Sequence, residues 1–238
     1  MTSNNPVIVG DTSIELPQPS SPELEVYSYF PTSVYITKKA EFVDFVDVIA
    51  SEYIDIRKNE PNSFDSIYPM YQTANMFDDP RLVEFASYIG GTTWNILNSQ
   101  GINMDKKTVF FQEMWCQEHF KYSSMDEHVH GNGAQIVGFF FLTVPENSSK
   151  IVIHDPRPGK KQLAIEERDI TSVSYASSAI NFTPEVGSVF FANAWVPHSF
   201  SRNGSDDPIR LIHFTLGIRQ APDVPIPDSP NTNSPVIV

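Results

Sequence analysis

Two stretches in the first half of the chain repeat apolar residues at intervals of three and four. In TKKAEFVDFVDVIASEYIDI the positions Phe42, Phe45, Val46, Ile49 and Tyr53 form one stripe. In DPRLVEFASYIGGTTWNILNSQG, Leu82, Phe85, Ala86, Ile89 and Trp94 form a second, closed by a glycine. This period predicts two amphipathic helices that cover a core. Beyond about residue 106 the texture changes to short runs rich in Val, Ile, Phe and Thr, punctuated by Gly, Pro, Asn and Asp. These runs predict strands near 107–119, 135–144, 150–155, 162–166, 170–175, 179–182, 187–192, 197–202 and 209–218. So many short strands after two helices predict a mainly β fold: a double-stranded β-helix, or jelly roll, with the N-terminal helices packed on one outer face.

The ends of the chain differ in texture from its middle. Residues 1–24 contain no Lys or Arg and include LPQPSSPE, and 221–238 read APDVPIPDSPNTNSPVIV. Both are expected to be extended or poorly ordered tails. Between them, 25–220 is expected to be a single domain, with a helical cover over about 25–105 and a β core over about 106–218. The pieces NPVIVG and SPVIV at the two ends raise edge-strand pairing with a second copy as an expectation, with chance similarity as the plainer explanation.

Composition narrows the function classes. With Asp plus Glu at 29 against Lys plus Arg at 16, the formal charge of −13 argues against a nucleic-acid surface that works by neutralising phosphates. The single cysteine, Cys116, excludes an intramolecular disulfide and any site built from several cysteines. No apolar run approaches the roughly 20 residues of a membrane span, and the start of the chain does not look like a signal peptide. A reducing, cytoplasmic location is the expectation.

All six histidines fall at or beyond position 119, and two of them, His128 and His130, stand one residue apart in DEHVHG. In an extended segment residues i and i+2 share a face, so this pair can aim two imidazoles at one point. An H-x-H pair alone is equally a pair of surface or hydrogen-bonding histidines. His198, in VGSVFFANAWVPHSF, is the best third ligand, because a downstream jelly-roll strand can lie beside the first and point into the same interior. Imidazoles aimed at one point suit a transition metal that accepts nitrogen ligands, as zinc does. Glycine loops for nucleotides and a G-x-S-x-G nucleophile elbow are missing, and Cys116 reads as a small buried residue.

The segments WCQEHFKYSSMDEHVHGNG, VGFFFLTVPENSSKIVIHDPR, FTPEVGSVFFANAWVPHSF and RNGSDDPIRLIHFTLGI, covering about residues 107–218, resemble the 2-oxoglutarate- and Fe(II)-dependent oxygenases, in particular a group whose first motif is H-x-H. The resemblance implies an oxidoreductase of the dioxygenase (hydroxylase) type, using Fe(II) and 2-oxoglutarate. By it, His128 opens the iron motif, His198 is the distal histidine, and Arg210, twelve residues further on, pairs with the far carboxylate of 2-oxoglutarate. A guanidinium suits that role because it can engage a carboxylate through two parallel hydrogen bonds. Arg202 is the rival for it, and for either arginine the plain alternative is a surface charge.

Three departures from the family pattern stand out. His130 occupies the place where most of the superfamily has Asp or Glu, with Asp126 as a substitute carboxylate or else a solvated loop residue. Phe141 stands where relatives often carry a tyrosine that binds the co-substrate, and Ile212 replaces the serine of the R-x-S pattern. His154, Asp155 and Arg157 read as a strand-ending turn, His119 as a neighbour of the site or a polar loop residue, and His213 as alternating off the face of Arg210. Two rival readings remain open: a three-histidine, cupin-like metal dioxygenase or isomerase that does not use 2-oxoglutarate, and a non-catalytic binding or structural module.

Overall fold

A computed structural model describes residues 29–162 and 165–221. The two expected tails, with their PVIV pieces, lie outside the described residues apart from Ala221. Among the described residues, eleven strands form two antiparallel sheets. The larger takes β1 (Val34–Lys38), β2 (Phe64–Asp65), β3 (Met70–Gln72), β4 (Lys107–His119), β6 (Ala134–Thr143), β9 (Ser188–Asn193) and β11 (Ile209–Gln220), in the order β1-β9-β6-β11-β4-β3-β2. The smaller takes β5 (Met125–His128), β7 (Ile151–His154), β8 (Ala179–Phe182) and β10 (His198–Phe200), in the order β5-β10-β7-β8. Two facing sheets with helices on the outside of one of them form the double-stranded β-helix that the strand pattern predicts.

Both helices form where the apolar period places them. In α1 (Val43–Lys58) the buried residues are Val46, Ile49, Ala50 and Ile54; in α2 (Val83–Ser99) they are Phe85, Ile89, Thr93, Ile96 and Leu97. A short 3-10 turn leads into α2, where the Asp79 side chain accepts a hydrogen bond from the Arg81 N–H and Pro80 occupies the first turn, which has no use for an N–H. Gly101, with φ of +82°, ends α2 in the left-handed conformation that glycine adopts without strain.

The central strands of the larger sheet are apolar on both faces, and each face belongs to a different layer. Met114 and Cys116 of β4, Ile136, Phe140 and Leu142 of β6, Val189 and Phe191 of β9, and Ile212, Phe214 and Leu216 of β11 pack with the helices. The alternate residues Val137, Phe139, Phe141, Phe190, Ala192, Ile209 and Leu211 face the smaller sheet, where Ile151, Ile153 and Phe200 meet them. Period-2 alternation therefore assigns each side chain of these strands either to the helix layer or to the interior between the sheets.

Of the expected strand at 162–166, residues 163 and 164 lie outside the described residues; Gln162 ends a short helix, α3 (Pro158–Gln162), and 165–166 are not strand. Another expected strand, 170–175, is a chain of turns. In that segment side chains occupy the backbone: Asp169 accepts from the Thr171 N–H and hydroxyl and from the Ser172 hydroxyl, and Glu167 accepts from the Ser178 N–H and the Ser177 hydroxyl. Such local bonds compete with a β ladder. Ile165 and Ile170 stay exposed, so no apolar face draws the segment into the sheet. Conversely β5, with the sequence MDEH, has no strand composition and forms because it pairs with β10.

Gly138 lies in β6 beneath the Phe214 ring; a Cβ there would stand 2.3 Å from that ring and 2.5 Å from the Phe190 carbonyl oxygen. Gly138→Ala is expected to destabilise the fold by about 3 kcal/mol. Gly91→Ala, in an exposed turn of α2 with open space around it, is expected to stabilise it by up to about 1 kcal/mol. Urea unfolding of the two variants checks both signs.

Candidate metal centre

The sheet register brings two of the expected ligands face to face. β10 runs antiparallel to β5, with His198 opposite His128. Their ring centroids are 4.5 Å apart. His130 lies just past the end of β5, held by its N–H donating to the Ala194 carbonyl at 2.9 Å. Its ring is 5.1 Å from that of His128 and 5.2 Å from that of His198. One nitrogen from each of the three histidines falls within 4.8 Å of the others.

Hydrogen bonds settle which nitrogen each ring offers. His128 Nδ1 lies 2.8 Å from the Asp126 carbonyl oxygen and His198 Nδ1 lies 2.9 Å from that of Val196. A carbonyl only accepts, so both Nδ1 atoms carry a proton, which leaves Nε2 as the nitrogen that can offer a lone pair to a metal. This is the arrangement in which a metal-binding histidine is oriented by its other nitrogen. The Nε2 atoms of His130 and His198 are buried and have no partner among the described residues. Burial holds His198 down to about 3 and His130 to about 4, with neighbouring imidazoles adding to the effect, so both are neutral at neutral pH. Neutral imidazoles, converging lone pairs and orphaned buried nitrogens fit a bound divalent metal.

The inner rows around the histidines carry further polar groups. Glu113, Trp115, Gln117 and His119 of β4 alternate with its helix-facing residues, opposite Thr215, His213, Leu211 and Ile209 of β11. His213 is 4% exposed and stacks on Trp115, with ring centroids 4.9 Å apart. Trp115 Nε1 and His213 Nδ1 are buried without a partner among the described residues. Glu113, His130 and His213 make a second group whose ligand atoms lie within 4.8 Å of one another. His119 is remote from this cluster; its Nδ1 bonds the Ser123 hydroxyl at 2.8 Å.

Arg210 is not in the interior, which corrects the expected role. It alternates with Ile209 and Leu211 onto the helix face, where its guanidinium donates to Asp47 at 2.9 Å, Ser51 at 2.8 Å and Glu118 at 2.7 Å. Glu118 also pairs with Lys58 at 3.0 Å. Burial alone would raise the Glu118 carboxyl, but the bonds from Arg210 and Lys58 outweigh it and hold the group below its ordinary value. Arg202, the rival, is exposed. Asp126 is exposed and accepts from the Tyr68 hydroxyl at 2.5 Å, outside the histidine cluster. Asp155 is taken up by Arg157, whose backbone N–H, Nε and a terminal nitrogen all donate to it, so this pair stabilises the turn.

Glu113 carries no local signal in the sequence, and His213, expected off the site, faces the interior. Arg210 and His213 are three residues apart and must face opposite ways. IRLIHFTL is apolar on both faces, however, so periodicity carries no signal for which of the two points inward.

Residues 113–214 match the model of a family described as "Putative 2OG-Fe(II) oxygenase". Among solved structures the chain is similar to AviO1 from Streptomyces viridochromogenes Tue57, at 10% identity over 82% of this chain and 92% of that one, with a TM-score of 0.55. It is also similar to a Pseudomonas putida prolyl-4-hydroxylase, at 8% identity over 78% and 93%, with a TM-score of 0.51. A third is the viral collagen prolyl hydroxylase vCPH from Paramecium Bursaria Chlorella virus-1, whose structure is a 2OG complex, at 14% identity over 78% and 96%, with a TM-score of 0.50. At these identities the likeness is one of fold. No curated protein matches the chain by sequence.

Two outcomes are expected from this geometry. Arg210→Ala leaves the buried Glu118 with Lys58 alone and is expected to cost about 3 kcal/mol, read as a lowered Tm. His119 is held down to about 4 by burial, from an ordinary 6.5. The unfolded chain protonates there first, so this histidine's contribution is present above pH 6.5 and lost as pH falls toward 4, at about 1.4 kcal/mol per pH unit. His119→Gln is therefore expected to flatten the slope of unfolding free energy against pH in that window; an unchanged slope contradicts the assignment.

Proposed function

We propose, from the match of residues 113–214 to the family model described as "Putative 2OG-Fe(II) oxygenase", that His128, His130 and His198 hold Fe(II) and that the protein is a hydroxylase-type dioxygenase. The observation that carries this reading is the convergence of three imidazole nitrogens, two of them buried and unpartnered, on one point between the sheets. Bound Fe(II) with 2-oxoglutarate supplies the oxidising chemistry: dioxygen is reduced while 2-oxoglutarate loses carbon dioxide to give succinate, and one oxygen atom enters a C–H bond of the substrate.

The chain's own part is to hold, orient and shield. The carbonyls of Asp126 and Val196 fix the proton on Nδ1 of His128 and His198, leaving Nε2 to ligate. Phe139, 5.7 Å from the His198 ring, backs that ligand and keeps water from its inner side together with Phe200 and Leu211. Three neutral ligands leave a divalent ion with its full charge, which favours an anionic co-substrate. We assign Trp115 Nε1, a buried N–H donor without a partner, to the co-substrate's carboxylate. The activity is assigned to one unit, residues 25–220, working in a reducing cytoplasm where ferrous iron and the buried Cys116 persist. No helix among the described residues is long and apolar enough to cross a membrane.

One observation favours the second reading, a three-histidine metal enzyme that does without 2-oxoglutarate. No lysine or arginine occupies the inner rows Glu113–His119 of β4, Val137–Phe141 of β6 or Ile209–Thr215 of β11. Anaerobic absorption spectroscopy separates the two. With Fe(II) and 2-oxoglutarate, wild type is expected to develop the visible metal-to-ligand band of the chelate, His198→Ala to lose it, and Arg210→Met to keep it. A protein that binds Fe(II) without any such band belongs to the second reading. One that binds no Fe(II) belongs to neither.

A further inference from the structure

We infer that Glu113, His130 and His213 form a second divalent-metal ligand set that shares His130 with the three-histidine set and provides a carboxylate where the H-x-H motif has none. The inference rests on the proposed function in one respect: His130 is a ligand in both sets.

The geometry is that of a built site. Glu113 and His213 project from the inner rows of β4 and β11, adjacent strands at the centre of the larger sheet. Their ligand atoms and one of His130 lie within 4.8 Å of each other. The Thr215 hydroxyl, 3.3 Å from Glu113 Oε2, donates to that oxygen and steadies the carboxylate. His213 is fixed between Trp115 at 4.9 Å and Phe139 at 5.6 Å between ring centroids. Its ring is 5.2 Å from that of His130. Although His213 is only 4% exposed, its Nδ1 has no hydrogen-bond partner among the described residues, and neither does the buried Nε2 of His130. Buried polar nitrogens are normally satisfied, and leaving one bare costs about 1–3 kcal/mol. A cation beside Glu113 removes that cost for both rings.

Ligand chemistry gives the two sets different preferences. Imidazoles suit Fe(II), Zn(II), Cu(II) or Ni(II), whereas a set with a carboxylate in place of one imidazole favours the harder Mn(II). A neutral imidazole has one lone pair, so His130 serves one ion at a time and the sets are alternatives for a single ion. The identity of the metal decides which set is filled.

Metal titrations of the full chain test this, with Mn(II) followed by electron paramagnetic resonance and Zn(II) by competition with a chromophoric chelator. Glu113→Gln is expected to weaken Mn(II) binding roughly tenfold or more while Zn(II) binding stays within roughly threefold of wild type. His198→Ala is expected to do the reverse. Glu113 is only partly buried and Gln keeps its shape, so this variant decides the matter even if His198→Ala fails to fold. Mn(II) binding by Glu113→Gln at wild-type strength overturns the second set and leaves the three-histidine site standing. A wild-type protein that binds neither ion overturns both.

Discussion

The pairing of β5 with β10 is the constraint on which the site depends. It sets His128 directly opposite His198. A slip of one residue would turn every side chain of β5 to the other face and send the histidine outward. The composition of β5 does not enforce its conformation. The register is held instead by what surrounds it: Phe200 pairs with Met125, and the Ala194 carbonyl receives the His130 N–H as the chain leaves the strand. The two carbonyls that orient His128 and His198 lie two residues upstream of each ring, so the backbone that forms the pair also fixes its tautomers.

Behind that pair, the larger sheet works as a partition. One face carries Ile212, Phe214 and Phe140 into the helix layer, and the other carries His213, Phe139 and Glu113 toward the histidines. Charge is divided in the same way. Arg210, Glu118, Asp47 and Lys58 form a network on the helix side, where Glu118 is buried and depends on its cations. The inner rows around the histidines carry imidazoles, the Trp115 indole N–H, the Gln117 amide, the Thr215 hydroxyl and the Glu113 carboxylate. Such an interior attracts a cation first, and any anionic co-substrate is held by the metal's charge more than by a protein cation.

What could be read along the chain follows from which forces are local. The helices were legible because their apolar stripes pack on one side only, as at Phe85 and Ile89. The long central strands are legible because β-branched and aromatic residues recur through them, as in IVGFFFLT of β6. The turns at 170–175 are not legible because Ile170, Thr171 and Val173 have strand composition, yet Asp169 and Glu167 capture the backbone. His128 and His198 came together as expected because both motifs lie in strands that meet in this fold. Facing could not be read in IRLIHFTL, where both sides are apolar. Arg210 was accordingly placed inside and His213 outside, the reverse of the structure. Glu113 carried no local signal, since only the sheet brings it beside His130.

The central claim is that a divalent metal sits between the sheets on the imidazoles of His128, His130 and His198, far from the charges of the helix face. Anomalous diffraction from crystals grown with Zn(II), recorded on both sides of the zinc edge, tests it most directly. The account requires an edge-dependent peak within bonding distance of the Nε2 atoms of His128 and His198, about 2.0–2.1 Å away. A fully occupied zinc peak elsewhere, with no density among these three rings, would contradict it.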